Sequence, residues 1–157
     1  MTLGIAGIVA LVYVTVDASA PTNGQIGYWK FDEGVGTSTA DSSGSGNNGV
    51  LVNGPTWTAG KVGGGAVSLN GPIGYVNTGS ASMLDNLPAL SASFWAQNKS
   101  YGGGGSGYFI AKYNNYYTGW DFQNRTASAN VSFVVNYNGG TNLRVDSSAN
   151  TLTSSDF

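Results

Sequence analysis

Cysteine and histidine are both absent from the 157 residues, and glutamate occurs once, at Glu33. Without cysteine there is no disulfide, no thiolate metal site and no sulfur nucleophile. Without histidine, Ser-His-Asp and Cys-His catalysis, histidine-based zinc chemistry and the usual physiological-pH switch all drop out. The missing cysteine does not exclude an extracellular protein, since a domain of this size can rely on its core instead. Charge is scarce as well: six basic and eight acidic residues leave a net charge of −2 and a pI near 4.6. Six scattered cations make no basic patch, which argues against nucleic acid as a partner. Long solvated helices are equally disfavoured, because their outer faces need the Lys, Glu and Arg that this chain has little of.

Gly, Ser, Thr and Asn are abundant, making up 72 of the residues, and aromatic residues make up 12%. Apolar content of 41% with so small a net charge argues against charge-driven disorder, and the length suits one domain. Short apolar runs separated by Gly, Asn, Asp and Ser clusters read as small strands joined by tight turns, since those residues tolerate the positive φ such turns demand. The expected strands are Ile26–Phe31, Gly49–Val52, Ala66–Asn70, Tyr75–Asn77, Ala89–Gln97, Tyr108–Tyr113, Trp120–Asn124, Val131–Tyr137 and Leu143–Val145. Val131, Phe133, Val135 and Tyr137 share one face at period two. Asn138-Gly139-Gly140 is a hairpin-type turn, Ser80–Leu87 has room for one helical turn, and Gly102–Ser106 reads as a mobile loop. With no helical periodicity between the strands, the fold class is all-β, an antiparallel β-sandwich or barrel.

Leu3 to Val16 is a fourteen-residue run without a charge, followed by Asp17 and Ala18-Ser19-Ala20. It is short for a membrane span and has the length of an export leader, with an A-x-A cleavage pattern behind it. No Lys or Arg precedes it. The alternative is a buried strand, which its Val, Ile, Thr and Tyr also suit. The expected division is therefore an apolar leader or signal peptide over 1–20 and a β-sandwich over 24–157, secreted or at the cell surface.

The words G-Y-W-K-F-D-E-G-V-G-T, D-S-S-G-S-G-N-N-G and N-G-P-T-W-T-A-G-K-V-G-G-G-A-V-S-L follow one another from Gly27 to Leu69. In that order the chain resembles the opening of LamG-like jelly-roll domains of the concanavalin A-like lectin/glucanase type, and it matches them in style to about Leu152. The resemblance implies an antiparallel jelly roll used outside cells to hold glycans or proteins. Pro72-Ile73-Gly74 stands where the family commonly has an acidic pair, and the sequence reaches Asp156-Phe157 before the family's closing strands. The expectation is a domain incomplete at its C-terminus, a fragment or one whose remaining strands a partner supplies, because a jelly roll hides its edges by pairing early strands with late ones.

Six aromatic residues fall within Tyr108–Trp120, interleaved with Asn114 and Asn115 and followed by Asp121. Sugar rings present apolar C–H faces and hydroxyl edges, so aromatic platforms flanked by amides and a carboxylate fit them. Asn114, Asn115, Tyr116, Tyr117, Trp120 and Asp121 are the candidate ligand-binding residues. The bland reading places Phe109, Tyr113 and Trp120 in the core, with Trp29, Phe31, Trp57, Phe94 and Phe133. Asp32-Glu33 is the one adjacent carboxylate pair, and Asp41–Gly49 is rich in oxygen ligands. Asp32 and Asp41 are thus weak candidates for calcium, a cation content with carboxylates, amides and carbonyls, though both segments also read as hydrogen-bonded turns. Glucanases of this architecture need an E-x-D-x-x-E strand, and none occurs. The functional expectation is a non-catalytic extracellular module binding carbohydrate or glycoconjugate. Its rivals are an adhesion or assembly subunit completed by a partner strand and an accessory domain of a larger extracellular hydrolase.

Overall fold

Apolar residues at alternate positions, punctuated by glycine and asparagine, fold into two antiparallel sheets. In the computed structural model of the chain the described residues are 2–4, 8–11, 24–79, 82–84, 90–98, 106–115, 118–125, 130–137 and 141–147. The strands in chain order are β1 (Thr2–Gly4), β2 (Ile8–Leu11), β3 (Ser38–Thr39), β4 (Gly49–Val52), β5 (Thr56–Thr58) and β6 (Ala66–Ser68), then β7 (Tyr75–Asn77), β8 (Trp95–Asn98), β9 (Ser106–Asn115), β10 (Thr118–Arg125), β11 (Asn130–Tyr137) and β12 (Thr141–Asp146). The larger sheet has the order β12-β11-β10-β9-β1-β7-β4-β3 and the smaller β5-β6-β2-β8. Ser82–Leu84 forms a short 3-10 turn within the segment expected to hold a helical turn.

One apolar cluster draws on both sheets: Leu51, Val76, Phe109, Ile110 and Trp120 from the larger, Ala66 and Val67 from the smaller, with Trp29, Phe31, Leu69 and Leu84 from the connections. Phe31, Val67, Val76 and Phe109 are essentially fully buried, and each such side chain contributes about 1.5–3 kcal/mol by leaving water. Phe94, Phe109, Phe122 and Phe133 form a ring chain with centroid distances of 5.3, 5.7 and 4.7 Å along the contacts 94–109, 94–122 and 122–133. At the outer strand β12 the same side of the sheet opens to solvent, where Leu143 and Val145 are exposed.

Gly49–Val52 and Tyr75–Asn77 coincide with the expected strands. Ile26–Phe31 does not form a ladder strand; its sheet-like pairing is the single bridge Trp29↔Asp41. Side chains take the ladder's place there. The Asp41 carboxylate accepts from the Tyr28 N–H at 2.9 Å, and the Asn47 amide donates to the Ile26 carbonyl at 2.7 Å. Phe31 then turns to a φ of 59°, which ends any extended run. Leu90 and Phe94 pack against the core without a ladder, so β8 begins only at Trp95. Thr2–Gly4 and Ile8–Leu11 lie within the stretch read as an export leader, and both are interior strands. The Asn138–Gly140 turn and residues 102–105 of the expected mobile loop lie outside the described residues.

Candidate functional site

The β9–β12 sheet sorts its side chains into two faces by register. Ile110, Phe122, Phe133 and Val145 are in line across the four strands, as are Lys112, Trp120, Val135 and Leu143. These rows hold the aromatic core. The opposite face carries Tyr108, Gln123, Ser132 and Asp146 in one row, Ala111, Asp121, Val134 and Arg144 in the next, and Tyr113, Gly119 and Asn136 in the third. Register shifts at Thr118/Gly119 and Phe122/Gln123 each let two residues of β9 oppose one of β10, and the second, at Phe109, brings Tyr108 onto the same face as Tyr113.

Tyr108 is 39% exposed and Tyr113 37%, and the two rings meet edge to face with centroids 6.2 Å apart. Tyr113 lies over Gly119, whose φ of 148° suits glycine alone; a Cβ there would strike the Lys112 carbonyl oxygen and the Tyr113 ring. From that position the Tyr113 hydroxyl donates to Asp121 Oδ2. Asp121 is 1% exposed and its Oδ1 has no hydrogen-bond partner. Burial therefore pushes its carboxyl above the ordinary 3.8, against the opposing pull of Tyr113 and Asn136. The same burial and the adjacent carboxylate push the Tyr113 phenol well up, so it stays a donor. Along the next row Ser132 Oγ donates to Asp146 Oδ1 at 2.6 Å, and Arg144 Nε donates to the same oxygen at 2.6 Å.

The expected ligand residues are thus divided. Asn114 and Asn115 end β9, with Asn115 opposite Thr118, while Tyr116 and Tyr117 lie outside the described residues. Trp120 is in the core, its indole N–H donating to the Leu84 carbonyl at 3.4 Å, and Asp121 is buried on the outer face beneath Tyr113. Tyr108, Gln123 and Asn136 complete the outer face; their signal in the sequence is the period-two alternation of β9, β10 and β11, interrupted in β9 by the two bulges.

Asp32 and Asp41 use their oxygens within the fold. Asp32 Oδ1 accepts from the Gly64 and Gly65 N–H groups at 2.9 and 3.0 Å. Gly65 packs so close to the Phe31 carbonyl that a Cβ would collide with it. Asp41 accepts from Tyr28 and Ser43 at Oδ1 and from Asn47 at Oδ2, at 2.9 to 3.0 Å. Burial pushes its carboxyl up, but the bonds from Ser43, Tyr28 and Asn47 outweigh that, and it sits below 3.8. Glu33 Oε1 accepts from Thr39 Oγ1 and from the Ala40 N–H. Among the described residues no three Asp or Glu side chains converge on a metal-sized space.

No family model, no curated protein and no solved structure matches this chain.

Proposed function

We propose that the chain is a non-catalytic carbohydrate-binding module with a LamG-like jelly-roll topology, working outside the cell, and that glycan lies on the outer face of β9–β12. The observation that carries the reading is the Tyr108–Tyr113 pair: two half-exposed rings in edge-to-face contact on a face otherwise lined by Gln123, Asn136 and the Arg144–Asp146 ion pair. Aromatic rings accept the C–H faces of sugars, and fixed amides and charges read the hydroxyl edges. Both carboxylates of this face are engaged, Asp121 by Tyr113 and Asp146 by Ser132 and Arg144. That supports binding over a carboxylate-pair hydrolysis.

A glycan array followed by calorimetry on the best oligosaccharide tests the reading. Tyr108→Ala removes one ring of the pair together with its contacts to Tyr113, and is expected to weaken binding about tenfold, as truncation of an aromatic anchor does. Binding by Tyr108→Ala at full strength, with an unchanged circular dichroism spectrum, would remove the face from the account.

A second reading, an assembly subunit completed by a partner's strand, is favoured by one specific observation: Thr2–Leu11 supplies an interior strand to each sheet.

A further inference from the structure

A single apolar stretch closes both sheets from within. Its first piece, β1, lies between β7 and β9, with Thr2 opposite Asn77 and Ala111. Its second piece, β2, lies between β6 and β8, with Ala10 opposite Val67 and Ala96. Without this stretch the strand order divides the larger sheet into β12-β11-β10-β9 and β7-β4-β3, and separates β8 from β5-β6. Two gaps, each one strand wide, would then be lined on both sides by unpaired backbone N–H and C=O groups. Such gaps select an uncharged segment with two strand-forming pieces three residues apart, and Thr2–Leu11 supplies both pieces as Thr2–Gly4 and Ile8–Leu11.

Twelve residues separate Leu11 from Gly24. At roughly 3.5 Å per extended residue they reach about 40 Å, enough to carry the segment to a neighbouring molecule. Every contact made within one chain is reproduced when the segment seats in another, so exchange sacrifices no pairing.

We propose that Thr2–Leu11 is an exchangeable strand donor, and that the paired gaps between β7 and β9 and between β6 and β8 accept the same segment from a second copy of this chain. The proposal rests on the assembly reading and is independent of the glycan face. Reciprocal exchange gives a closed dimer, and one-way exchange gives a growing array.

The chain contains no cysteine, so an introduced disulfide reports on one contact alone. In the full chain the pair Ala10→Cys/Ala96→Cys joins opposite positions of β2 and β8, and Val9→Cys/Gln97→Cys joins the adjacent ones. Opposite pairs of an antiparallel ladder alternate in spacing, so one of these two pairs has the closer approach that a disulfide needs. Each protein is refolded from denaturant at about 10 µM and at about 1 mM, oxidised, and run on a non-reducing gel. A short tether gives the segment a millimolar effective concentration. The cross-link is therefore expected within single chains at the lower concentration, and in comparable amount between chains at the higher, a rise in their ratio of about 100-fold. Mixing singly substituted A10C and A96C chains before refolding should give the mixed dimer in excess of either homodimer. A monomeric cross-link at both concentrations, with no mixed dimer, would overturn exchange while leaving the segment as an interior strand. No cross-link in either pair would remove the segment from the gaps and overturn the assembly reading as well.

Discussion

Tyr113→Phe deletes one hydroxyl, and the consequence follows from what lies beneath it. Asp121 is 1% exposed, Oδ1 is already without a partner, and Oδ2 receives the Tyr113 O–H. A hydrogen bond to a charged group is worth about 1.5–3 kcal/mol net, and more when its loss orphans a buried charge. Tyr113 is itself 37% exposed, so water replaces part of what is lost, and the expected cost at pH 7 is about 2 kcal/mol. For a chain of this length that lowers Tm by roughly 4–8 °C. The cost should depend on pH in a defined direction. Burial raises the Asp121 carboxyl above 3.8, so the native state keeps a proton that the unfolded chain has released. This group therefore lowers stability as pH rises from 3.8 through the folded value, and its effect is flat above that. In acid, where Asp121 is neutral, Tyr113→Phe should cost less than at pH 7. Asp121→Asn should remove this pH dependence and most of the Tyr113→Phe penalty, which thermal melts of the four proteins in a double-mutant cycle measure directly. Equal melting temperatures for Tyr113→Phe and the parent at pH 7 would refute the reasoning.

Asp41→Ala should cost about 2 kcal/mol at pH 7, because three backbone N–H groups lose one acceptor. Since the folded Asp41 carboxyl lies below 3.8, its contribution is present above that value and fades as pH falls through the folded one, so parent and variant should converge in strong acid in urea titrations. Gly119→Ala forces a Cβ against the Lys112 carbonyl and the Tyr113 ring and should cost on the order of 3 kcal/mol, read by chemical denaturation. Asp32→Ala frees the Gly64 and Gly65 N–H groups; their hydrogen exchange should quicken about fivefold, matching a loss of about 1 kcal/mol, with the exchange of β9–β11 unchanged.

Much of the all-β architecture was legible because its signal is local. Gly49–Val52 and Tyr75–Asn77 announce themselves by apolar residues bounded with glycine and asparagine, and β9 to β11 by alternation. Three things were not legible. Ile26–Phe31 has strand composition, but its amide at Tyr28 and carbonyl at Ile26 are satisfied by the side chains of Asp41 and Asn47, partners 13 and 21 residues away that no local pattern announces. The leader-like stretch has an apolar character that suits an export segment and a strand alike, and its pairing with β6 to β9 is long-range, which no local pattern announces. Within the aromatic cluster, two bulges shift the phase of β9 against β10. The extra residue at Phe109 brings Tyr108 onto the face of Tyr113, while Trp120 of β10 packs in the core.

The central claim is that glycan lies on the outer face of β9–β12. Amide chemical-shift mapping tests it most directly: an isotope-labelled full chain titrated with the oligosaccharide that binds best. The account predicts shifts concentrated at Tyr108, Tyr113, Gln123 and Asn136, with little change in β3 to β7. Shifts centred on the Asp32–Gly65 region, or no saturable shifts with any glycan tested, would contradict it.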